Sequence, residues 1–196
     1  MRHRRKSRVL GRSPSHRKAL LKNLASAIFL TERDAELDDN APKVPGRIVT
    51  TLEKAKEVRP LVEKCITIAK NSLPSEKEAE KFAAPGGRGT AEYKKWRESD
   101  DWQKWAAARA PVVNARRRVI QLIGDKHAAK VLFERVAERF ADRPGGYTRI
   151  VRLATPRLGD AGTRAILEFV GKNDRVKKKS VKPAFATEET TESVES

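Results

Sequence analysis

Apolar positions recur at helical spacing through several stretches of this chain and alternate only near its end. Between Ser13 and Leu30, Leu20, Leu24 and Ile28 fall four residues apart, with Leu21 and Ala25 beside them. Lys18, Lys22 and Ser26 form the opposite row. The spacing predicts an amphipathic helix with one dry and one basic face. Ser13-Pro14 offers an N-cap followed by proline at the first helical position. Thr31–Gly46 breaks the pattern: it is acidic, Pro42 and Pro45 bracket its end, and it reads as an exposed excursion. Arg47-Ile48-Val49-Thr50 is a short strand, and Thr50 with Glu53 forms a capping box for the next helix. That helix gathers Leu52, Ala55, Val62, Cys65, Ile66 and Ala69 on one side, with Pro60 expected to kink it or end a turn.

Asn71–Ala110 has a different texture. Pro74 and the Pro85-Gly86-Gly87-Arg88-Gly89 run predict a loop with a short helix around Tyr93–Ala108. Trp96, Trp102 and Trp105 all lie there. Three tryptophans can make a base-stacking platform, but anchoring a surface insertion onto the body is the preferred reading. Two helices follow, Pro111–Ile123 and Lys126–Phe140, separated by Gly124-Asp125. The second carries Ala129, Leu132, Phe133, Val136 and Phe140 at core spacing. Beyond Arg143-Pro144-Gly145-Gly146, Tyr147–Leu153 and Arg164–Val170 alternate as the arms of a β-hairpin. Its connection is long, about ten residues, and should project. Lys172–Ser180 is basic, and Thr187–Ser196 is acidic, rich in Ser and Thr, and expected to be disordered.

The predicted order is α-β-α-α-α-β-β. Helices connected in this way can cover only one face of a small sheet, so the fold class is a two-layer α+β domain. It should span residues 13–171, with insertions at 32–45 and 71–110. A basic arm (1–12) precedes it, and a basic then acidic tail (172–196) follows.

Charge sharpens this picture. The 196 residues carry a formal net charge of +17. Residues 1–31 contain no Asp or Glu, and residues 106–159 set twelve Lys or Arg against four acids. Such an excess favours a polyanionic partner. The arm repels itself in water and is expected to order only against a polyanion. One cysteine, Cys65, rules out an internal disulfide, and its apolar neighbours Ile66, Ile68 and Ala69 mark it as buried. Cys65, His3, His16 and His127 stand too far apart for a finger-type zinc site. No apolar run reaches membrane-span length. The acid-free start also resembles an organelle transit peptide, although a cleavable peptide would have no use for a capped helix.

Catalytic patterns are absent or weak. There is no glycine-rich phosphate loop ending in Lys-Ser/Thr, no Gly-x-Gly-x-x-Gly after a strand and no nucleophile elbow. His127 reads as a surface or half-buried residue and not a base, and Asp38-Asp39 and Asp100-Asp101 read as solvated charge. The expectation is a protein that is not an enzyme, with no cofactor, metal or small-molecule substrate and no membrane partner. Candidate RNA-binding residues form two groups. The first comprises Arg2, His3, Arg4, Arg5, Lys6, Arg8, Arg12, Ser15, His16, Arg17, Lys18 and Lys22. The second comprises Arg116, Arg117, Arg118, Arg143, Gly145, Gly146, Tyr147, Arg149 and Arg157. Guanidinium forks suit phosphate oxygens and stack on bases. The paired glycines admit close backbone approach, and Tyr147 can stack or donate a hydrogen bond. Arg149 and Arg152, three apart on a strand, face opposite sides.

Several of these motifs also carry a family resemblance. Met-Arg-His-Arg at 1–4, Ser15-His16-Arg17, Lys54-Ala55-Lys56-Glu57-Val58-Arg59, Ile66-x-Ile68-Ala69-Lys70 and Lys130-Val131-Leu132-Phe133 occur in this order. Gly145-Gly146-Tyr147-Thr148-Arg149-Ile150 and Ile166-Leu167-Glu168-Phe169-Val170 complete the set. Together they resemble the bacterial large-subunit ribosomal protein seventeen family. The resemblance implies a cytoplasmic, structural component of the large ribosomal subunit that binds large-subunit ribosomal RNA near the nascent-chain exit side. It also implies other ribosomal proteins as neighbours, protein thirty-two among them, and a fold of α, β, three α and two β. The stretches 32–45 and 71–110 and the tail after 171 depart from the family pattern. Two rival expectations remain: a basic DNA-binding architectural protein, and a membrane-surface protein anchored by Ser13–Leu30.

Overall fold

The computed structural model describes residues 7–34 and 40–171. Arg2, His3, Arg4, Arg5, Lys6, Asp38-Asp39 and the tail 172–196 therefore lie outside the described residues. Helix α1 (Pro14–Leu30) begins where the Ser-Pro pair predicts, with Ser13 extended at φ −60°, ψ 156°, although its hydroxyl makes no capping bond. Ala25, Ile28 and Phe29 are fully buried. Ser26, expected on the basic row, is buried too. The reason is that α1 packs on α2, α4, α5 and β1, so little of its second half meets water.

Strand β1 (Arg47–Thr51) runs one residue further than predicted, and the capping box at Thr50 does not form. Thr51 is the N-cap of α2 (Leu52–Glu80) and its side chain makes no cap bond. The first helical N–H, that of Leu52, instead donates to the Thr163 carbonyl at 3.0 Å, so the hairpin loop satisfies the helix start.

The largest departure from expectation is in 71–110. Helix α2 continues for 29 residues through both Pro60 and Pro74, a length of about 44 Å. After a loop come α3 (Ala91–Glu98) and α4 (Asp100–Ile123), which passes through Pro111. The supposed loop-rich insertion is thus mostly the outer ends of two helices. All three prolines are exposed. On that side, water can take the carbonyl a proline leaves unpaired, so the helix continues instead of stopping. Helices α2 and α4 run antiparallel, as shown by Glu76 meeting Arg109 and Arg116, and Phe82 meeting Lys104. At the tip, Trp96 Nε1 donates to the Phe82 carbonyl at 3.0 Å. Trp96 also stands edge-on to Trp105 at 5.5 Å, while Trp102 takes the Arg97 guanidinium at 5.2 Å. All three tryptophans are half-buried and hold the tip together.

Gly124, left-handed at φ 84°, ends α4, and Asp125 caps α5 (Lys126–Val131) by accepting from His127 N and Ala128 N. One π-helical stretch, Leu132–Val136, carries α5 into a last turn at Ala137–Arg139. The stripe of Ala129, Leu132, Phe133, Val136 and Phe140 is buried throughout, as its spacing predicts.

Strands β2 (Thr148–Arg152) and β3 (Arg164–Phe169) form the expected antiparallel hairpin. Strand β1 pairs on the other side of β3, giving the order β1-β3-β2 among the described residues. Ile48, Leu167 and Ile150 align across the sheet on the side facing α2. Val49, Ile166 and Val151 align on the other side, where Val49 and Val151 are exposed. The helices therefore cover one face of the sheet. Phe169 anchors the two layers: it is fully buried, stacks on Phe29 at 6.0 Å and meets Phe140 edge-on at 6.0 Å. Each such side chain contributes roughly 1.5–3 kcal/mol of burial free energy.

Candidate nucleic-acid interface

The basic residues are distributed over three regions of this scaffold. The first joins the leading segment, α1, α4 and α5. Residues 7–12 lie along the body, held by the chain's own groups, which departs from the expectation for that part of the arm. Arg8 Nη1 donates to Glu57 Oε1 of α2 at 2.9 Å, and Arg17 Nη1 donates to the Arg8 carbonyl at 3.5 Å. Arg12 donates to His16 Nε2 at 3.3 Å and to the Leu10 carbonyl at 3.2 Å. Arg8, Arg12 and Arg17 have thus found one carboxylate, two carbonyls and one imidazole nitrogen within the chain.

Ser15, His16 and Lys18 are exposed along α1. Lys22 lies over the α4–α5 turn, with Nζ donating to the Gln121 carbonyl at 3.3 Å. That contact places the basic row of α1 beside the exposed α4 face of Arg117, Arg118 and Gln121. It also places it beside the first turns of α5, where Lys126, His127 and Lys130 are exposed. Arg117 and Arg118 meet no carboxylate among the described residues. Arg116 is different. It reaches Glu76 Oε1 at 3.5 Å, lies 5.1 Å from the Phe133 ring centroid and has a buried, unpartnered Nε. The Arg116–Arg118 fan therefore divides, with one guanidinium used to join helices and two directed to solvent.

The second region is the turn before β2. Gly146 is left-handed at φ 62°, and a Cβ built at Gly145 or Gly146 would meet nothing within 4 Å, so the backbone there is open to approach. The turn is held from below. Lys70 Nζ donates to the Arg143 carbonyl at 2.6 Å, and Thr148 Oγ1 donates to Glu63 Oε1 at 2.8 Å. Tyr147, for which the sequence allows stacking or hydrogen-bond donation, is 2% exposed and packs on Phe140 at 5.2 Å. It supports the turn from the core and has no ring face to offer a base. Arg149 donates from Nε to Glu168 Oε1 at 2.5 Å on the open sheet face, while Arg152 is exposed.

The third region is the β2–β3 loop. Arg157 forks onto both carboxylate oxygens of Asp160, and Asp160 Oδ1 also accepts from Gly162 N at 3.2 Å. These hydrogen bonds hold the Asp160 carboxyl well below the usual carboxylate range, the Arg157 guanidinium contributing most and the Gly162 amide next. Arg157 is thereby committed to shaping the loop.

The chain is similar to known proteins over nearly all of the described fold. A family model for ribosomal protein L17 matches residues 20–170. The large ribosomal subunit protein bL17 of Rhodopirellula baltica is 72% identical over 185 residues, covering 94% of this chain and 88% of the relative. That of Halothermothrix orenii is 35% identical over 164 residues, covering 83% and 96%. The chain belongs to the ribosomal protein L17 family. Its Chlorobium limicola relative is 34% identical over 189 residues, covering 91% of this chain and 89% of the other. The family resemblance drawn from the sequence motifs is thereby confirmed.

Sequence reasoning missed Lys126, Lys130 and Lys70 as members of these basic surfaces, and Arg135 and Arg139, which line an open trough with Arg143. Lys126, Lys130, Arg135 and Arg139 were legible as the polar complement of the stripe from Ala129 to Phe140. Lys70 was not, because only the fold brings α2 under the Gly-Gly turn. Among the described residues no group of three or more His, Cys, Asp or Glu is placed to hold a metal ion, and no helix is long and apolar enough to cross a membrane.

Proposed function

We propose that this chain is a structural constituent of the large ribosomal subunit, where it binds large-subunit ribosomal RNA and stabilises its folded form during translation. The supporting observation is the face around the Lys22–Gln121 contact. It joins Lys18 and Lys22 to Arg117, Arg118, Lys126 and Lys130, with the basic arm leading into it. The arm threads between RNA helices, and its guanidinium groups displace counterions from phosphates. The open Gly145-Gly146 backbone, with Arg143 beside it, takes the second contact. Recognition is of RNA shape and of looped-out bases, because side chains cannot read the deep, narrow major groove of an RNA duplex. Other large-subunit proteins are neighbours, protein thirty-two among them by family resemblance. The role is non-catalytic and is exercised in the cytoplasm, on the ribosome.

Mass spectrometry of intact proteins from large subunits washed at high salt tests this. The expected result is this chain in fixed stoichiometry, binding large-subunit ribosomal RNA more tightly than duplex DNA. Its absence from washed subunits, or equal affinity for duplex DNA, overturns the assignment.

A further inference from the structure

Arg135, Arg139 and Arg143 stand four residues apart and line a single open trough of about 670 Å³, together with Glu32, Phe140 and Gly171. Arg139 forms its floor. It donates to Glu32 Oε1 at 3.2 Å and to the Val170 carbonyl at 3.2 Å, and lies 4.9 Å from the Phe140 centroid and 5.5 Å from that of Phe169. The two outer arginines are held less firmly. Arg143 engages only through Nε, which donates to the Gly145 and Gly146 carbonyls at 3.1 and 3.2 Å. Its terminal nitrogens meet no acceptor among the described residues. Arg135 donates to the Glu32 carbonyl at 2.9 Å and to Asp34 Oδ2 at 2.8 Å, and the Asp34 side chain is 76% exposed.

We propose that this trough seats backbone phosphates of RNA and that Asp34 is an intramolecular stand-in which a phosphate displaces. The inference rests on the RNA-binding reading above and assigns it a further site. An ion pair between exposed side chains is weakly held, and Asp34 satisfies Arg135 alone. Successive phosphates of one strand satisfy Arg135 and Arg143 together, and the guanidinium fork matches phosphate geometry. Glu32, whose side chain is 8% exposed, stays in place and keeps Arg139 aligned. Asp142 at the rim of the trough opposes the anion and limits how many phosphates enter.

The test uses the full chain and a large-subunit ribosomal RNA transcript, with affinity measured across salt concentrations. Replacing Arg135→Gln and Arg143→Gln together should weaken binding about tenfold at low salt. It should also reduce the log–log salt slope by roughly 0.7–0.9 for each phosphate no longer neutralised. Asp34→Asn should tighten binding about threefold at low salt, and Arg135→Lys should keep the wild-type slope. Arg139 is left intact because it supports the core, and thermal melting checks that each variant is folded. A double variant with wild-type affinity and slope overturns the trough alone, as does Asp34→Asn weakening the complex. A wild-type chain that does not bind the transcript overturns both this inference and the function it rests on.

Discussion

Arg8 and Glu57, 49 residues apart in sequence, meet at 2.9 Å and tie the leading segment to the second turn of α2. The Glu57 side chain is 12% exposed and that of Arg8 40% exposed, so the pair is partly shielded from solvent. It gives residues 7–12 a fixed point on the body of the fold.

Replacing Glu57→Gln should release residues 7–12 while changing global stability by less than about 1 kcal/mol, as for other partly exposed pairs. Hydrogen exchange of the Arg12 amide, which donates to the Val9 carbonyl at 3.2 Å, should accelerate. The melting temperature should hardly move. Unchanged exchange would mean that the segment is held by its carbonyl contacts alone.

Arg116 and its two neighbours should separate cleanly. Arg117→Gln with Arg118→Gln should lower RNA affinity at low salt and reduce the salt slope by roughly 0.7–0.9 per phosphate released, with little change in stability. Arg116→Gln should instead lower stability, because it gives up the Glu76 hydrogen bond and the Phe133 ring. Chemical denaturation and RNA titration of both variants distinguish the two roles.

Burial pushes the Cys65 thiol up to about 12 from an ordinary value of 9.0. The folded state therefore keeps a proton that the unfolded state sheds above about pH 9. This contribution to stability is fully present below about pH 9 and is lost as pH rises from about 9 toward 12. Unfolding midpoints measured at about pH 7, 9 and 10.5 should fall at the highest value, and Cys65→Ala should flatten that part of the dependence. The native thiol should be inert to disulfide reagents at about pH 8 and react only on unfolding.

Phe169→Ala should cost about 3–5 kcal/mol, since it opens a cavity where α1, β3 and the end of α5 converge. Pairing it with Phe29→Ala in a double-mutant cycle should give a coupling of roughly 0.5–1.5 kcal/mol, from the rings stacked at 6.0 Å. Independent, additive effects in urea denaturation would show that the ring stacking is incidental.

Trp96→Phe removes the hydrogen bond to the Phe82 carbonyl. It should loosen the α3 tip, with a red-shifted tryptophan emission, and leave RNA affinity as in the wild type. A fall in affinity would bring the tip into the RNA contact.

Legibility followed the range of the interaction. The α1 start at Ser13-Pro14, the Gly124-Asp125 break and the buried stripe of α5 rest on neighbouring residues and were readable in one dimension. So was the hairpin of β2 and β3, whose alternation survives in the register of Ile150 opposite Leu167. Pro74 misled, because on the exposed side of α2 water can take the carbonyl that its ring leaves unpaired, whereas the run from Pro85 to Gly89 lies in the loop it predicts. Whether Pro74 faces solvent is settled by how α2 lies against α4.

The same division holds for the site. Charge excess, the acid-free opening and the Gly145-Gly146 pair are properties of the chain itself, and they point to a polyanion from the sequence alone. Which cations remain available for it is a property of packing. Arg116 meets Glu76 at a separation of 40 residues, Arg149 meets Glu168 at 19 and Arg157 meets Asp160 at 3, while Arg117 and Arg118 point outward. A guanidinium pairs with whichever carboxylate the fold brings within a few ångströms. The arginine that binds a partner and the arginine that braces the core are therefore alike in sequence and differ only in three dimensions.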